Sequence, residues 1–410
     1  MTYQEVEYYL CNQIPMFQKH GKSAYKEDLS NTLKLAALFD HPEKKFKSIH
    51  IAGTNGKGSS AHMSAALLQA KGYKVGLYTS PHLIDFRERI RINGEFVEKQ
   101  FVVDFVERIK DFIEEEKPSF FEVTTIMAFE YFAQQEVDYG VIEVGLGGRL
   151  DCTNIITPVL SIITNIGLDH VDILGNDIRE IAKEKAGIIK RGVPVCYQEN
   201  QPEVLEVLER LSKENSISPY LCRASEVEVY ENELPLKGGN QLKNLSSVLK
   251  GLSLVLGEDL SDSDVMKGFS LMENELKLTG RWETINESPK VILDTAHNVS
   301  AFESILKQLE KESFKRLIFV LAFMQDKDVV KILSMLPKNA KYYFASFKHP
   351  RALYATHLKE IAKSKAIYGE EFGKVDIAYR TALKYACKDD LIIIAGSNFI
   401  LKNLLIQKNN

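Results

Sequence analysis

Short β-branched runs alternate with stretches of helical periodicity along most of this chain. The alternation predicts α/β domains in which mostly parallel sheets are covered by helices on both faces. Because 410 residues exceed what one hydrophobic core usually supports, we expect two domains, 1–279 and 280–410, with the hinge at Gly280. The predicted strands of the first domain are 48–52, 74–79, 139–144, 159–164 and 194–197, and those of the second are 290–294, 316–322, 341–345 and 391–395.

A glycine-rich loop with the sequence GTNGKGS, residues 53–59, joins the first predicted strand to a helical stretch. Backbone N–H groups of such a loop, one lysine and the positive end of the next helix together form a cradle for phosphate. The spacing departs from the usual phosphate loop, because Ile51 takes the place of the first glycine and Gly58 follows Lys57 directly. An ordinary glycine turn is the alternative, but the strand and helix around the loop favour phosphate binding.

Composition and charge exclude several classes of protein. A net charge of −4 provides no basic surface for nucleic acid. No apolar run approaches the roughly twenty residues that span a bilayer, and the N-terminus lacks a signal-peptide pattern. Five scattered cysteines without C-x-x-C spacing argue against disulfides and a zinc site. We therefore expect a cytoplasmic protein without nucleic-acid or membrane partners. A monomer is the expected state, although no residue pattern indicates it.

Two polar residues follow predicted strands of the first domain. Glu143 lies in a run apolar enough to be buried, where a carboxylate is costly unless a cation meets it. Ligands of open α/β sheets gather at the carboxyl ends of the strands, so a Mg²⁺ between Glu143 and nucleotide phosphates is expected. The alternative is a glutamate that faces outward from an edge strand. For His170, which follows the next strand, a ligand and a structural role are equally open.

Lys185 falls on the apolar stripe of a predicted helix, 177–189. A lysine in that position either reaches to solvent or loses its charge, because desolvation lowers the pKa of an amine. A neutral amine can react with carbon dioxide to form an anionic carbamate. From the residues alone, the solvent-reaching conformation is favoured.

The segment DTAHN, residues 294–298, follows the first strand of the second domain. A strand's carboxyl end suits contacts to ribose and phosphate. An ordinary helix N-cap formed by Asn298 is the alternative.

These motifs together resemble the folylpolyglutamate synthase and dihydrofolate synthase family, within the Mur-type ATP-dependent amide ligases. The resemblance spans nearly the whole chain and implies a P-loop-containing Mur-ligase-like domain followed by a smaller Rossmann-like α/β domain. The glycine after the loop lysine is the family's form, whereas cell-wall Mur ligases usually place a hydroxyl residue there. Besides the loop, the matching motifs are TSPHL (79–83), FRERI (86–90), EVGLGGRLD (143–151), TNIGLDH (164–170), EKAGI (184–188), GR (280–281), DTAHN (294–298) and DKD (326–328).

The resemblance implies a role for each site residue. Catalytic roles fall on Lys57, His170, Lys185 and His297, the last near the phosphates. Two Mg²⁺ sites are implied at Ser80, Glu143 and His170, beside a carbamylated Lys185, which replaces the solvent-reaching interpretation; a monovalent cation is also allowed. ATP contacts are implied for Thr54, Asn55, Gly56, Lys57, Gly58, Ser59, Asn244, Arg281 and Asp294.

Weaker motif matches place the organic substrates. A pteroate pocket is implied at Phe121, Glu122, Asp151 and Cys152, together with residues 24–26. Arg351 and Ser397 are candidates for a glutamate site, with a surface cation and a helix cap as equal alternatives. Two positions depart from the family pattern, since Asn240 replaces a frequent histidine and Thr295 a frequent glycine.

The implied reaction joins L-glutamate to a folate carboxylate through an acyl phosphate. Reduced folates and dihydropteroate are the implied acceptors. One alternative is a Mur-type ligase of peptidoglycan precursors, and another is a switch protein that hydrolyses ATP without forming an amide. Glutamate-dependent phosphate release separates the ligases from the switch protein.

Overall fold

The computed structural model describes residues 1–16, 28–198 and 200–405, which form two compact units. The first unit consists of the described parts of Met1–Pro235 and Gln241–Lys277. The second consists of Leu236–Asn240 and the chain from Leu278 onward. The segment Leu236–Asn240 therefore belongs to the second unit, although it lies before Gly280 in the sequence. A single boundary at Gly280 would assign it to the first unit.

The first unit is built on an eight-stranded sheet of order β4-β3-β2-β5-β1-β6-β7-β8. Central β1 pairs in parallel with β5 and β6, and β3 and β4 form an antiparallel edge beside β2. All side chains of β2, β5, β6 and β7 are buried, as expected for parallel strands covered on both faces. The strands are β1 (Lys47–Ala52), β2 (Val75–Tyr78), β3 (Ile90–Ile92), β4 (Glu95–Phe96), β5 (Tyr139–Glu143), β6 (Leu160–Ile163), β7 (Val195–Gln198) and β8 (Tyr220–Cys222).

The second unit holds a six-stranded sheet of order β13-β12-β11-β14-β10-β9. Only β9 runs antiparallel to its neighbour; the other pairs are parallel. The strands are β9 (Glu283–Glu287), β10 (Lys290–Leu293), β11 (Leu317–Leu321), β12 (Lys341–Ala345), β13 (Gly369–Phe372) and β14 (Leu391–Ala395).

Helices connect and cover the strands of both units. In the first unit they are α1 (Tyr3–Asn12), α2 (Ser30–Leu38), α3 (Lys57–Ala70), α4 (Lys99–Arg108), α5 (Lys110–Glu116), α6 (Phe120–Gln134), α7 (Val171–Leu174), α8 (Ile178–Ala186), α9 (Pro202–Glu214), α10 (Gln241–Leu256) and α11 (Asp262–Asn274). In the second they are α12 (Val299–Leu309), α13 (Val329–Met335), α14 (Ala355–Ser364), α15 (Val375–Tyr385) and α16 (Asn398–Leu405). Within the described part of the chain, none is long and apolar enough to cross a membrane.

The predicted α/β class with mostly parallel sheets is confirmed, and each predicted strand is present to within one residue at either end. The polar strand expected after Gly280 is β9. Strands β3, β4, β8 and β13 were missed, and all four lie at or next to a sheet edge. Because β1, β2, β5 and β6 are parallel neighbours, their carboxyl ends lie on the same side of the sheet. The loops that follow these four strands therefore come together there, where ligands of such sheets bind.

Candidate active site

The glycine-rich loop after β1 is clamped by the loop after β6. Thr54 donates its backbone N–H to the Asn165 carbonyl at 2.7 Å and its hydroxyl to the Gly167 carbonyl at 3.0 Å. The Thr164 hydroxyl donates to the Asn55 carbonyl at 2.8 Å. These bonds hold the loop open as a backbone turn that leads into α3.

Gly53 allows this turn in two ways. Its φ of 152° is one that residues with side chains rarely adopt, and an added Cβ would lie 1.8 Å from the Thr164 hydroxyl oxygen. We therefore expect Gly53→Ala to lower the free energy of unfolding by about 3 kcal/mol and to weaken nucleotide binding. Thermal melting with and without ADP measures both effects. Gly373→Ala is the control, because nothing lies within 4 Å of its added Cβ, and equal melting of the two variants would contradict the prediction.

Two lysine ammonium groups meet at one carbonyl oxygen of the loop. Lys57 donates to the Gly53 carbonyl at 2.9 Å and to the Thr54 carbonyl at 3.1 Å, and Lys185 donates to the same Gly53 oxygen at 3.0 Å. Lys185 is only 4% exposed, so the solvent-reaching conformation is wrong. Burial, reinforced by the charge of Lys57, lowers the pKa of Lys185 to about 7. The loop therefore concentrates positive charge and one readily neutralised amine.

Glu143 and Ser80 lie together beside the loop. Glu143 is 5% exposed and accepts the Ser80 backbone N–H at 3.0 Å. An added Cβ on Gly58 would lie 3.6 Å from the Glu143 carboxylate, so a glycine here lets the loop backbone approach that group. A carboxylate and a hydroxyl are oxygen ligands of the kind Mg²⁺ prefers.

His170 stands at the start of α7, with its backbone N–H bonded to the Asp169 carboxylate at 2.9 Å. Residues 1–16, 28–198 and 200–405 contain no group of three or more His, Cys, Asp or Glu side chains placed to hold a metal ion. Mg²⁺ does not require one, because it commonly binds through one or two carboxylates, phosphate oxygens and water. The pair of Glu143 and Ser80 therefore fits this ion, while a ligand role for His170 stays a prediction.

Asn244 on α10 packs against the loop from the other side. Its Oδ1 lies 2.5 Å from where a Cβ on Gly56 would stand, and that oxygen accepts from Gln198 at 2.8 Å. Its amide nitrogen donates to Gln241 at 3.0 Å. Ser59, in the first turn of α3, is buried, and its hydroxyl lacks a hydrogen-bond partner among the described residues. An unpaired hydroxyl beside a phosphate loop suits a ligand oxygen.

The predicted acceptor-pocket residues are neighbours, but two of their carboxylates also hold backbone. Asp151 accepts from the backbone of Leu146 at 2.8 Å and of Thr153 at 3.0 Å, and Glu122 accepts the Ser119 N–H at 2.6 Å in a capping box at the start of α6. Burial raises the pKa of Asp151.

Two further members of this group supply apolar surface. The Phe121 ring covers Gly145, where an added Cβ would lie 2.4 Å from it. Burial, with the charges of Asp151 and Glu122 nearby, raises the pKa of the Cys152 thiol. Residues 24–26 lie outside the described part of the chain.

In the second unit, Arg281, Asp294 and His297 gather around the end of β10. Asp294 accepts the backbone N–H groups of Ala296 at 2.7 Å and Trp282 at 2.9 Å. Burial raises the pKa of Asp294, although the charge of Arg281 opposes the shift. Both Arg281 and His297 hydrogen-bond to Thr295, and the latter contact, from Nδ1 to the carbonyl, measures 2.9 Å.

The N-cap alternative for this segment is confirmed, since Asn298 caps α12 by accepting from the Ala301 N–H, and the contacts to ribose and phosphate stay a prediction. Asn240, the other departure from the family pattern, donates to the Ser304 hydroxyl at 2.7 Å within the same unit.

A charged cluster in the loops after β11 and β12 contains Arg351, the candidate for the glutamate site, together with Asp326 and Lys327, whose roles the sequence analysis did not assign. The Asp326 carboxylate pairs with Arg351 at 2.9 Å and with Lys327 at 3.4 Å, and the Lys327 side chain is only 8% exposed. The Gln325 N–H donates to the Arg351 carbonyl at 2.9 Å, which ties the two loops together. Ser397 is buried at the start of α16, where it accepts the Phe399 N–H. The sequence feature that could have predicted this charged cluster is the motif DKD, residues 326–328, which follows a strand.

Family models cover both sheets. The Mur ligase middle domain matches residues 51–218, and the Mur ligase, glutamate ligase domain matches residues 280–398. The glycine-rich loop, the two lysines that bond to it (Lys57 and Lys185) and the nearby Glu143 carboxylate agree with these matches. Together they define an ATP-dependent ligase of the Mur type.

Whole-chain comparisons narrow the class. The chain is 34% identical to a dihydrofolate synthase/folylpolyglutamate synthase of Bacillus subtilis, over 94% of this chain and 96% of the relative. It matches Escherichia coli FolC in complex with DHPP and ADP at TM-score 0.85 and 28% identity, covering 100% and 98% of the two chains. A bifunctional folylpolyglutamate synthase/dihydrofolate synthase with Mn, AMPPNP and L-glutamate bound matches at TM-score 0.84 and 28% identity, covering 99% and 98%. The chain belongs to the dihydrofolate synthase/folylpolyglutamate synthase family.

Proposed function

We propose that this protein uses ATP to join L-glutamate to the carboxylate of a folate, and of dihydropteroate. The position of Lys57 carries the proposal, because its ammonium group donates to the Gly53 and Thr54 carbonyls and so places positive charge beside a backbone cradle for phosphate. Family membership and the relatives' complexes with nucleotide, manganese, DHPP and L-glutamate support it.

The residues of the first unit divide the work on ATP. Loop amides from Thr54 to Ser59 would receive the phosphates, and Lys57 would leave its present carbonyl partners to meet phosphate oxygens. Glu143 and Ser80, with His170, would hold Mg²⁺ at two sites, and Asn244 would contact the nucleotide. Magnesium bound there would withdraw charge from the phosphoryl oxygens during transfer.

The chemistry proceeds in two balanced steps. A carboxylate oxygen of the acceptor attacks the γ-phosphorus, and the bond to ADP breaks, which gives an acyl phosphate. The neutral amine of glutamate then attacks the acyl carbon, phosphate leaves with the bonding electrons, and the amine loses one proton to solvent. Phe121 and the buried group around Cys152 would cover the acceptor's ring system and keep water from it.

We assign L-glutamate to the charged cluster of the second unit. Glutamate carries two carboxylates and one ammonium group, and the cluster presents the complementary set: Arg351 and Lys327 as cations and Asp326 as the anion. Ser397, at the end of the neighbouring β14, adds a hydroxyl. Arg281, Asp294 and His297 are assigned to the nucleotide.

The finer features of the enzyme follow the family. We propose that Lys185 is carbamylated, because an amine with a pKa lowered to about 7 is neutral often enough to attack carbon dioxide. A monovalent cation beside the nucleotide, a monomeric state and a cytoplasmic location complete the proposal.

A panel of acceptors tests this function. Purified protein with ATP and Mg²⁺ is expected to form ADP, and to add one glutamyl residue by mass, with dihydropteroate or tetrahydrofolate monoglutamate. A muramyl substrate is expected to give neither product. Phosphate release that is equal with and without glutamate and acceptor would contradict the ligase function, and product from the muramyl substrate alone would move it to cell-wall chemistry.

A further inference from the structure

The loop after β2 contains a histidine and a buried arginine that no step above uses. Arg89 is 2% exposed, and its Nε donates to the Nδ1 of His82 at 2.8 Å. Its guanidinium lies 4.9 Å from the centre of the Phe120 ring. Among the described residues no carboxylate stands within 4.0 Å of it, and burial lowers its pKa. The charges of Glu143 and Glu88 only partly offset this cost of burial. The guanidinium is instead positioned by its hydrogen bond to His82 and by the Phe120 ring.

This bond determines where the histidine keeps its hydrogen. Arginine Nε–H can only donate, so Nδ1 of His82 must accept, and the ring hydrogen sits on Nε2. His82 is half-buried, whereas Arg89 beneath it is buried. His82 is therefore a hydrogen-bond donor in a defined orientation at the surface of the site.

Hydrogen bonds and a ring contact support the loop that carries His82. Glu88 accepts the backbone N–H groups of Leu83 at 2.6 Å and of Ile84 and Asp85 at 2.8 Å each. The His82 ring also packs edge-on against Phe86, with 6.1 Å between centroids. Such support holds a side chain in place before a ligand arrives.

The position of the pair links the two halves of the proposed site. His82 follows Ser80 by two residues, and Ser80 holds Glu143 on the nucleotide side. Arg89 rests on Phe120, which begins α6 next to the predicted pocket residues Phe121 and Glu122. The acceptor's carboxylate must lie between these two sides to attack ATP.

We infer that His82 donates its Nε2–H to the acyl-acceptor carboxylate and orients it for attack, with Arg89 as the positioning residue. The inference rests on the proposed function and adds a contact on the reacting group to it. Without that hydrogen bond the carboxylate is no longer oriented toward the γ-phosphorus. The acceptor kcat/KM should then fall about 10²-fold, while KM for ATP stays unchanged.

Two isosteric variants separate this role from a structural one. In His82→Asn the amide oxygen replaces Nδ1 and still accepts from Arg89, but the Nε2 donor is lost. In His82→Gln the amide nitrogen replaces Nε2, but Arg89 loses its acceptor. We expect the Asn variant to melt like the native protein and lose about 10²-fold in acceptor kcat/KM. The Gln variant should melt lower and keep more of the activity than the Asn variant, because it retains the donor although it loses the positioning bond to Arg89, so stability and activity change in opposite orders.

The matched controls are His357→Asn and His357→Gln, on an exposed face of α14, which should leave melting and kinetics unchanged. A native-like Asn variant with an inactive Gln variant would overturn the inference, as would equal activity or an equal loss in both. Native protein without glutamate-dependent product on any acceptor would instead refute the proposed function itself. Arg89→Leu, expected to fold at least as stably and to lose acceptor kcat/KM, tests the positioning role.

Discussion

Lys57→Met is expected to lower kcat by about 10³-fold with little change in stability. The Lys57 ammonium group bonds the carbonyls of Gly53 and Thr54, contacts that are worth about 1 kcal/mol or less to folding because water replaces them easily. In the reaction it would face phosphoryl oxygens whose charge redistributes as the bond to ADP breaks. Loss of this cation removes stabilisation from the transition state, and methionine preserves the length and the apolar stem of the side chain.

The measurement compares ADP formation with thermal melting. Lys71→Met is the matched control, because Lys71 caps the opposite end of the same helix, α3, and makes a surface ion pair with Glu258 at 2.9 Å. Its variant should keep native kcat. If Lys57→Met turned over ATP within about threefold of the native rate, the loop would not be the phosphate site.

Much of the site could be predicted from the sequence, because the loops that follow parallel strands lie on the same side of the sheet. The motifs at 53–59, 79–83 and 143–151 follow β1, β2 and β5, which are neighbours in the sheet. The rule that ligands gather at the carboxyl ends of strands predicted Glu143 beside the phosphate loop, whereas Ser80 was implied only by the family resemblance. The partner of each side chain was not readable. That Lys57 and Lys185 share one carbonyl depends on the position of α8 against the loop, which no local pattern encodes.

Other features were missed although signals existed. Asn93-Gly94 is a typical hairpin turn, and both residues have positive φ, but the flanking β3 and β4 are too short and polar to read as strands. Ser119 and Glu122 fit the S-x-x-E capping pattern, so the cap at α6 was predictable beside the ligand role. The transfer of Leu236–Asn240 to the second unit reflects packing between distant parts of the chain.

Residue spacing predicts which face of a helix carries Lys185, but it does not predict whether the ammonium group is buried. Helical periodicity places Lys185 on the face of α8 with Ile181 and Ala182, and the structure buries all three. Periodicity cannot say whether the end of a long side chain finds solvent beyond that face. Here it meets the Gly53 carbonyl, so the amine remains inside, and burial together with the charge of Lys57 lowers its pKa.

Lys185→Met is expected to reduce activity by about 10²-fold or more and to stabilise the protein most at low pH. The pKa of Lys185 is about 7 in the folded protein, against 10.5 for an ordinary lysine. Between these values the unfolded chain binds the additional proton, so the native free energy of unfolding rises with pH across this window. Below pH 7 the penalty for burying the ammonium group is complete. Methionine removes it, and in CO₂-depleted buffer its stabilisation should be about 2 kcal/mol larger at pH 6 than at pH 9.

The loss of activity has a separate cause, which bicarbonate reveals. If Lys185 acts as a carbamate, native protein depleted of CO₂ should lose activity and regain it with bicarbonate, and ¹³C-bicarbonate should label the native protein but not the methionine variant. Lys183→Met is the control, because Lys183 is exposed on the same helix. Full activity of Lys185→Met without bicarbonate would refute the carbamate. If the methionine variant is inactive but CO₂ has no effect on the native enzyme, the reaction requires the unmodified amine of Lys185, in its neutral or its charged form. The pH dependence of melting would still show that this amine is buried.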